Sequence, residues 1–430
     1  MKLRTSTRAV LAAGLAAAAL AGVAACATAE GTGSSADGSL TLWTHNAGNP
    51  EELAVVQQIA DDWNAGHPGK KIVVQSFPQA AYNDAVVAAA TAKKLPCILD
   101  TDAPTVPNWA YAGYLAPLEI PADLLAKQLP STVGTYKGKT YSVGYYEAAL
   151  GLFARKSALT AAGARIPTLD QPWTAAEFEQ VLRATKAGGK YPIAFDLGTG
   201  DTGTEWWTYG YSPFLQSFGG DLIDRGTYKT ASGVLNGDKA LAWANWMQGL
   251  VKQGYSPQKS SADAFADFVN GKSAMVWSGI WNSGSLSKVD DGVVLPPPDF
   301  GKGPKIGGGS WQWAVSSSCA DKATAMEYLR TSLTAKNIAA FATKQNVIPA
   351  TEEAAALVTG WQAGGEKRFF LDESKKLAQV RPPTPGYPYL TTTFAKATQD
   401  IVAGGDPKQI LDRAVNDINQ DLKTNDYYGF

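Results

Sequence analysis

From residue 39 onward the apolar positions fall into two rhythms that take turns. "LTLWTHN" reads as a buried strand; Asn49 then sits as an N-cap before Pro50, and Leu53, Val56, Ala60 and Trp63 make the apolar stripe of a helix. "KIVVQSF" predicts a second strand, "YNDAVVAAATAK" a helix and "CILDTD" a third, short strand. Such alternation implies βαβ units and a largely parallel sheet. A second set begins near residue 145. In "PWTAAEFEQVLRATKAGG", Thr174 and Glu177 form a capping box ahead of Phe178, Val181 and Leu182. "DKALAWANWMQGLVKQG" places Ala240, Trp243, Ala244, Met247 and Val251 at helical spacing, so Trp243 is expected in the core. A last helix opens at Asp406 and Pro407 and carries Leu411, Ala414, Ile418 and Leu422.

The N-terminus does not belong to this pattern. Lys2, Arg4 and Arg8 precede a small-residue apolar run from Ala9 to Val23, the order of an export signal. Its end, Val23-Ala24-Ala25-Cys26, resembles a bacterial lipobox, which implies cleavage before Cys26 and lipidation of that cysteine. "ATAEGTGSSADGS" is too poor in apolar residues to fold and reads as a tether. Export permits a disulfide between the remaining Cys97 and Cys319. Sequence cannot show whether their backbones approach closely enough, and two buried free thiols are the favoured expectation.

Charge removes some function classes. Thirty-eight basic residues face thirty-nine acidic ones without a basic stripe, which argues against nucleic acid as a partner. The two histidines, His45 and His67, stand at no metal-ligand spacing, and no G-x-S-x-G stretch occurs. No metal or cofactor is therefore expected. "GTGDTG", Gly198 to Gly203, matches a dinucleotide fingerprint, but Glu205, Trp206 and Trp207 follow at once, mid-chain, where the fingerprint requires close helix packing; it reads as a glycine-rich turn before a helix. "GTYKGKT" is one residue short of a phosphate loop and reads as a hairpin turn.

Thirteen tryptophans are more than a core of ordinary composition needs. Six segments, "VPNWAYAGYLAPLE", "YSVGYYEAALGLFARKSALTAAGARIP", "QSFGGDLID", "FVNGKSAMVWSGIWN", "PPPDFGKGPKIGGGSWQWAVSS" and "KQNVIPATEEAAA", together resemble the extracellular sugar-binding proteins of bacterial ABC importers, the maltose-binding type among them. The resemblance covers nearly all of the mature chain. It implies an α/β, two-lobed periplasmic-binding-protein type II fold, with hinge-connected lobes built on central mixed sheets flanked by helices. The division expected is 1–25 signal peptide, 26–38 tether, 39–147 plus 314–365 first lobe, and 148–313 plus 366–430 second lobe.

The resemblance also implies a solute held between the lobes. Trp311 and Trp313 should project to one side of their strand and Gln312 to the other. With the glycines of "IGGGSWQW" letting a sugar approach, an indole would offer its face to a pyranose ring. Asn46 ends the first strand, Asp102 closes the third, and Glu147 lies near the crossover between lobes. Glu205, Trp206 and Trp207 follow the glycine turn; Trp277, Trp281 and Asn282 occupy "VWSGIWN", with Ile280 where the family usually has proline. Trp43, Trp63, Trp109, Trp243 and Trp246 are assigned to packing. The expected role is a monomeric, lipid-anchored receptor on the extracellular face of the cell membrane. It would bind a mono- or oligosaccharide without chemistry and deliver it to ABC permease subunits served by a separate ATPase. The alternatives are a secreted carbohydrate-active enzyme with two cleft carboxylates, and a receptor of the same fold for a non-sugar solute.

Overall fold

The computed structural model describes residues 38–200 and 204–430, so the expected signal, Cys26 and almost all of the tether lie outside the described residues. In chain order the strands are β1 Leu40–Thr44, β2 Ile72–Ser76, β3 Ile98–Asp102, β4 Leu115–Ala116, β5 Val133–Tyr136, β6 Lys139–Val143, β7 Tyr146–Glu147, β8 Leu150–Arg155, β9 Ile193–Asp196, β10 Ser273–Gly279, β11 Gly292–Leu295, β12 Ile306–Gly308, β13 Trp311–Ser316, β14 Ile348–Pro349 and β15 Ala378–Val380.

The first sheet runs β2-β1-β3-β13-β6-β5, with β4 paired to β13. Only β2-β1-β3 is parallel; β13 is antiparallel to both β3 and β6. The expected βαβ units are therefore confined to the first three strands, and the sheet is mixed because β13 returns from far along the chain. Helix Pro50–Gly66 covers it, starting where predicted: the Asn49 side chain accepts from the Glu52 amide with Pro50 at the first turn. Val56, Ile59, Ala60 and Trp63 face the core from this helix. The β5–β6 connection is a tight hairpin with positive φ at Lys137 and Gly138, the conformation a type I′ turn demands. The phosphate-loop look of that stretch is thus a turn requirement.

The second sheet runs β11-β8-β10-β9 and is also mixed. Helix Ala175–Gly188 packs against it through Phe178, Val181 and Leu182, opened by the Thr174–Glu177 capping box and closed by Gly189 in the left-handed region. Trp243 is fully buried in helix Asp238–Lys252, as its spacing predicts.

Between the sheets lie two small ones, β7 with β14 and β12 with β15, where the chain passes from one lobe to the other. All of β13, Trp311 included, pairs with first-sheet strands.

Cys97 and Cys319 are joined by a disulfide, against the expectation of free thiols. They stand 222 positions apart, yet Cys97 precedes β3 and Cys319 follows β13, which are neighbours in the sheet. The Ser316 amide donates to the Cys97 carbonyl, and the two Cα atoms lie 4.5 Å apart. Strand pairing, invisible in the sequence, brings the thiols together. Among the described residues no helix is long and apolar enough to cross a membrane.

Candidate functional site

Asp102 at the carboxyl end of β3, paired with Trp311 at the start of β13, is bridged by Arg381 to Glu205 in the first turn of helix Thr204–Phe218. At this junction the side chains form a continuous line. Trp281 packs against Trp206 edge-on and against Tyr209 at a tilt, with centroids 6.3 and 6.4 Å apart. The Arg381 guanidinium lies 5.1 Å from the Tyr209 ring centre. Arg381 in turn grips Asp102 with both terminal nitrogens, at 3.0 and 2.9 Å. Asp102 is the direct cross-strand partner of Trp311.

The exposure expected of the indoles holds for some of them. Trp281 is 45% exposed, and Trp206 and Trp311 are half-buried. The Trp281 ring folds back over Gly279, two residues before it, where any Cβ would collide with it. Trp206 donates from its indole nitrogen to the Gly198 carbonyl. Trp207, Trp277 and Trp313 are buried and form the wall behind the site. Trp277 donates to the Gly210 carbonyl and packs on Phe214; Trp207 meets Tyr211 edge-on. Trp313, two residues deeper along β13 than Trp311, packs towards Tyr145. Trp311 at the start of β13 is half-buried while Trp313, further from the strand end, is buried.

The glycines of "IGGGSWQW" also find a different use. A Cβ on Gly307 would strike Tyr209, one on Gly308 would press on Ala378, and Gly309, at φ +86°, lies against Ala103. The room beside these glycines is taken by the protein's own side chains.

The polar candidates divide likewise. Glu147 is fully buried; its two carboxylate oxygens accept from the amides of Ala148 and Gly309, which ties one crossing segment to another. Burial raises its pKa. Gln312 is buried and bridges Ser142 to the Ser131 carbonyl. Asn282 is half-buried and donates to Ser278. Asn46 is buried just beyond β1; it donates to Thr44, and its carbonyl oxygen has no hydrogen-bond partner. Glu205 accepts from Arg381, from the Tyr387 hydroxyl at 2.5 Å and from Thr391 at 3.2 Å. Burial raises the Asp102 carboxyl to about 6, with Arg381 pulling it down and Glu205 pushing it up.

Sequence reasoning missed four members of this line. His45 stacks on Trp311 and lies 2.5 Å from Asp100. Burial opposes its protonation, but Asp100, Glu52 and Asp102 prevail and raise its pKa. Tyr209, Arg381 and Tyr387 come from positions with no motif of their own. The one signal was Arg381 itself, an arginine set directly before two prolines. Near the β1 end, Asn49 donates to Gln345 and to Glu52, and Tyr146 donates to Glu52. Among the described residues no cluster of side chains could hold a metal ion.

A family described as bacterial extracellular solute-binding protein matches the chain over residues 58–367. An uncharacterized lipoprotein encoded in the oleD 5′ region of Streptomyces antibioticus is 27% identical over 353 residues, 77% of this chain and 76% of that protein. The fold is shared with solved structures of low identity. The GacH receptor of Streptomyces glaucescens, studied unliganded and with acarbose, is 21% identical, with a TM-score of 0.73 over 90% of this chain and 97% of its own. The cyclic alpha-maltosyl-1,6-maltose binding protein of Arthrobacter globiformis is 22% identical at a TM-score of 0.74, covering 90% and 99%. The sugar-binding protein MalE of Xanthomonas citri is 18% identical at a TM-score of 0.75, covering 90% and 98%.

Proposed function

The chain belongs to the bacterial extracellular solute-binding protein family, and from that premise we propose that it is the substrate-binding component of a carbohydrate ABC importer. It takes a mono- or oligosaccharide between its lobes and delivers it, unaltered, to permease subunits driven by a separate ATPase. Lipidation of Cys26 holds it, as a monomer, on the outer face of the membrane, consistent with the lipobox and with a lipoprotein relative.

The observation that carries the sugar reading is the line from Trp281 through Tyr209, Arg381 and Asp102 to Trp311 across the junction of the lobes. Its ends are aromatic faces suited to the C–H face of a pyranose, and its middle offers charged acceptors and donors for hydroxyl groups. Binding favours the closed form only as far as the sugar contacts both lobes, and here the two aromatic ends belong to different lobes. The sugar binders among the structures of the same fold support the assignment.

Calorimetric titration with a panel of neutral mono- and oligosaccharides tests it. Saturable heat and a raised melting temperature with at least one sugar are expected, as mass action requires for a ligand that prefers the folded protein. A panel without any response removes the sugar assignment, and release of new reducing ends would replace the receptor by a hydrolase.

A further inference from the structure

Arg381 is 4% exposed at the junction of the lobes. Its two terminal nitrogens hold both oxygens of Asp102, the last residue of β3 in the first lobe. One of them also meets Glu205, in the first turn of helix Thr204–Phe218 in the second lobe, and the other donates to the carbonyl of Gly309 on a crossing segment. One guanidinium thus touches both lobes and the hinge between them. Glu205 is held in place from its own side by Tyr387 and Thr391 of helix Tyr387–Val402. Without the arginine, two carboxylates would face each other across the junction.

We propose that Arg381 is a positioning residue that clasps the lobes in one register, through Asp102 on the first and Glu205 on the second, and so sets the closed arrangement in which solute is held. The planar fork matches a carboxylate with two parallel bonds and cannot rotate to follow a shifted lobe without losing them. Of the two carboxylates only Glu205 keeps an oxygen that the arginine does not hold, and Thr391 donates to it. The inference deepens the receptor reading and rests on it for its purpose, but it is testable without any sugar, so the two fail separately.

The clasp needs Asp102 ionised, a form lost as pH falls through about 6. The other titratable groups facing it are Glu205 and Tyr209 on helix Thr204–Phe218, Tyr387, Glu147 on β7, and His45 with Asp100 and Glu52 at the strand ends. All of these remain in a variant that lacks only the arginine, so a difference between the two proteins isolates the clasp.

The experiment uses the full chain with Cys26→Ala and spin labels on Lys336→Cys in the first lobe and Arg183→Cys in the second, both exposed. Interlobe distances are measured by pulsed electron resonance, without solute, above and below pH 6. The parent protein is expected to show a short distance above that pH and a longer one below it. Arg381→Gln should show the longer distance at both, with the ratio of open to closed protein raised about tenfold above pH 6, the least that losing charged hydrogen bonds implies. Asp102→Asn, which keeps the shape of the side chain, should lose the pH step and serves if Arg381→Gln does not fold. A pH step retained in either variant, or no step in the parent protein, overturns the clasp.

Discussion

The imidazole of His45 lies flat on the indole of Trp311, with ring centres 3.6 Å apart and planes 10° from parallel. One face of Trp311 is therefore covered from within the first lobe, which leaves only the other for the proposed sugar contact. The same histidine is paired to Asp100, and its pKa is raised above the ordinary value. The stability it supplies is fully present below the unfolded value of 6.5 and is lost as pH rises through the higher folded value. Calorimetric melting should therefore show the parent protein losing stability relative to His45→Gln as pH is taken from 6.5 into the alkaline range.

Trp281 and Trp277 should separate recognition from packing. Trp281→Ala removes a half-exposed ring, and is expected to weaken sugar binding by about 0.5–1.5 kcal/mol with little change in stability. Trp277→Ala empties a fully buried site and strands the Gly210 carbonyl; denaturant unfolding should show a loss of about 3–5 kcal/mol. Equal stability losses in the two variants would refute this division.

Replacing both Cys97 and Cys319 by serine should lower unfolding free energy by about 2–5 kcal/mol, because the bridge closes a long loop in the unfolded chain. Since β3 and β13 are already paired beside it, the fold and the sugar affinity should survive. Denaturant titration with and without a reducing agent, compared with the double variant, measures the effect.

Glu373 is fully buried in helix Arg368–Leu377, and neither carboxylate oxygen has a hydrogen-bond partner. Burial raises its pKa well above the ordinary value, which favours the uncharged acid over the carboxylate. Glu373→Met keeps the length of the side chain and removes the unpaired polar atoms, and should raise stability by about 1–3 kcal/mol. Because the parent's folded pKa is raised, its stability falls further as pH rises, and the gain in the variant should widen in the same direction, as melting curves across pH would show.

Local physics was legible in the sequence. The Asn49 and Asp406 caps, the Thr174–Glu177 box, the buried stripe around Trp243 and the Lys137–Gly138 turn depend on neighbours within a few residues, and each occurs where the chain chemistry puts it. The family resemblance likewise needs only ordered segments, and the fold follows from it. The candidate site was legible in part. Asp102, Glu205, Trp206, Trp281 and Trp311 do meet at the junction, while Trp207, Trp277, Trp313, Glu147 and Gln312 turn inward.

The sequence alone decided which segments become strands and helices, where they begin, and which face of each is apolar, since those follow from periodicity and capping over a few residues. Tertiary structure alone decided that Cys97 meets Cys319, that Tyr209 and Ala378 fill the room beside the glycines, and that Arg381 joins Asp102 to Glu205. Each of these depends on strand order and on the depth of a residue from its strand's end. Both are set by contacts between segments hundreds of positions apart, for which no local pattern carries a signal.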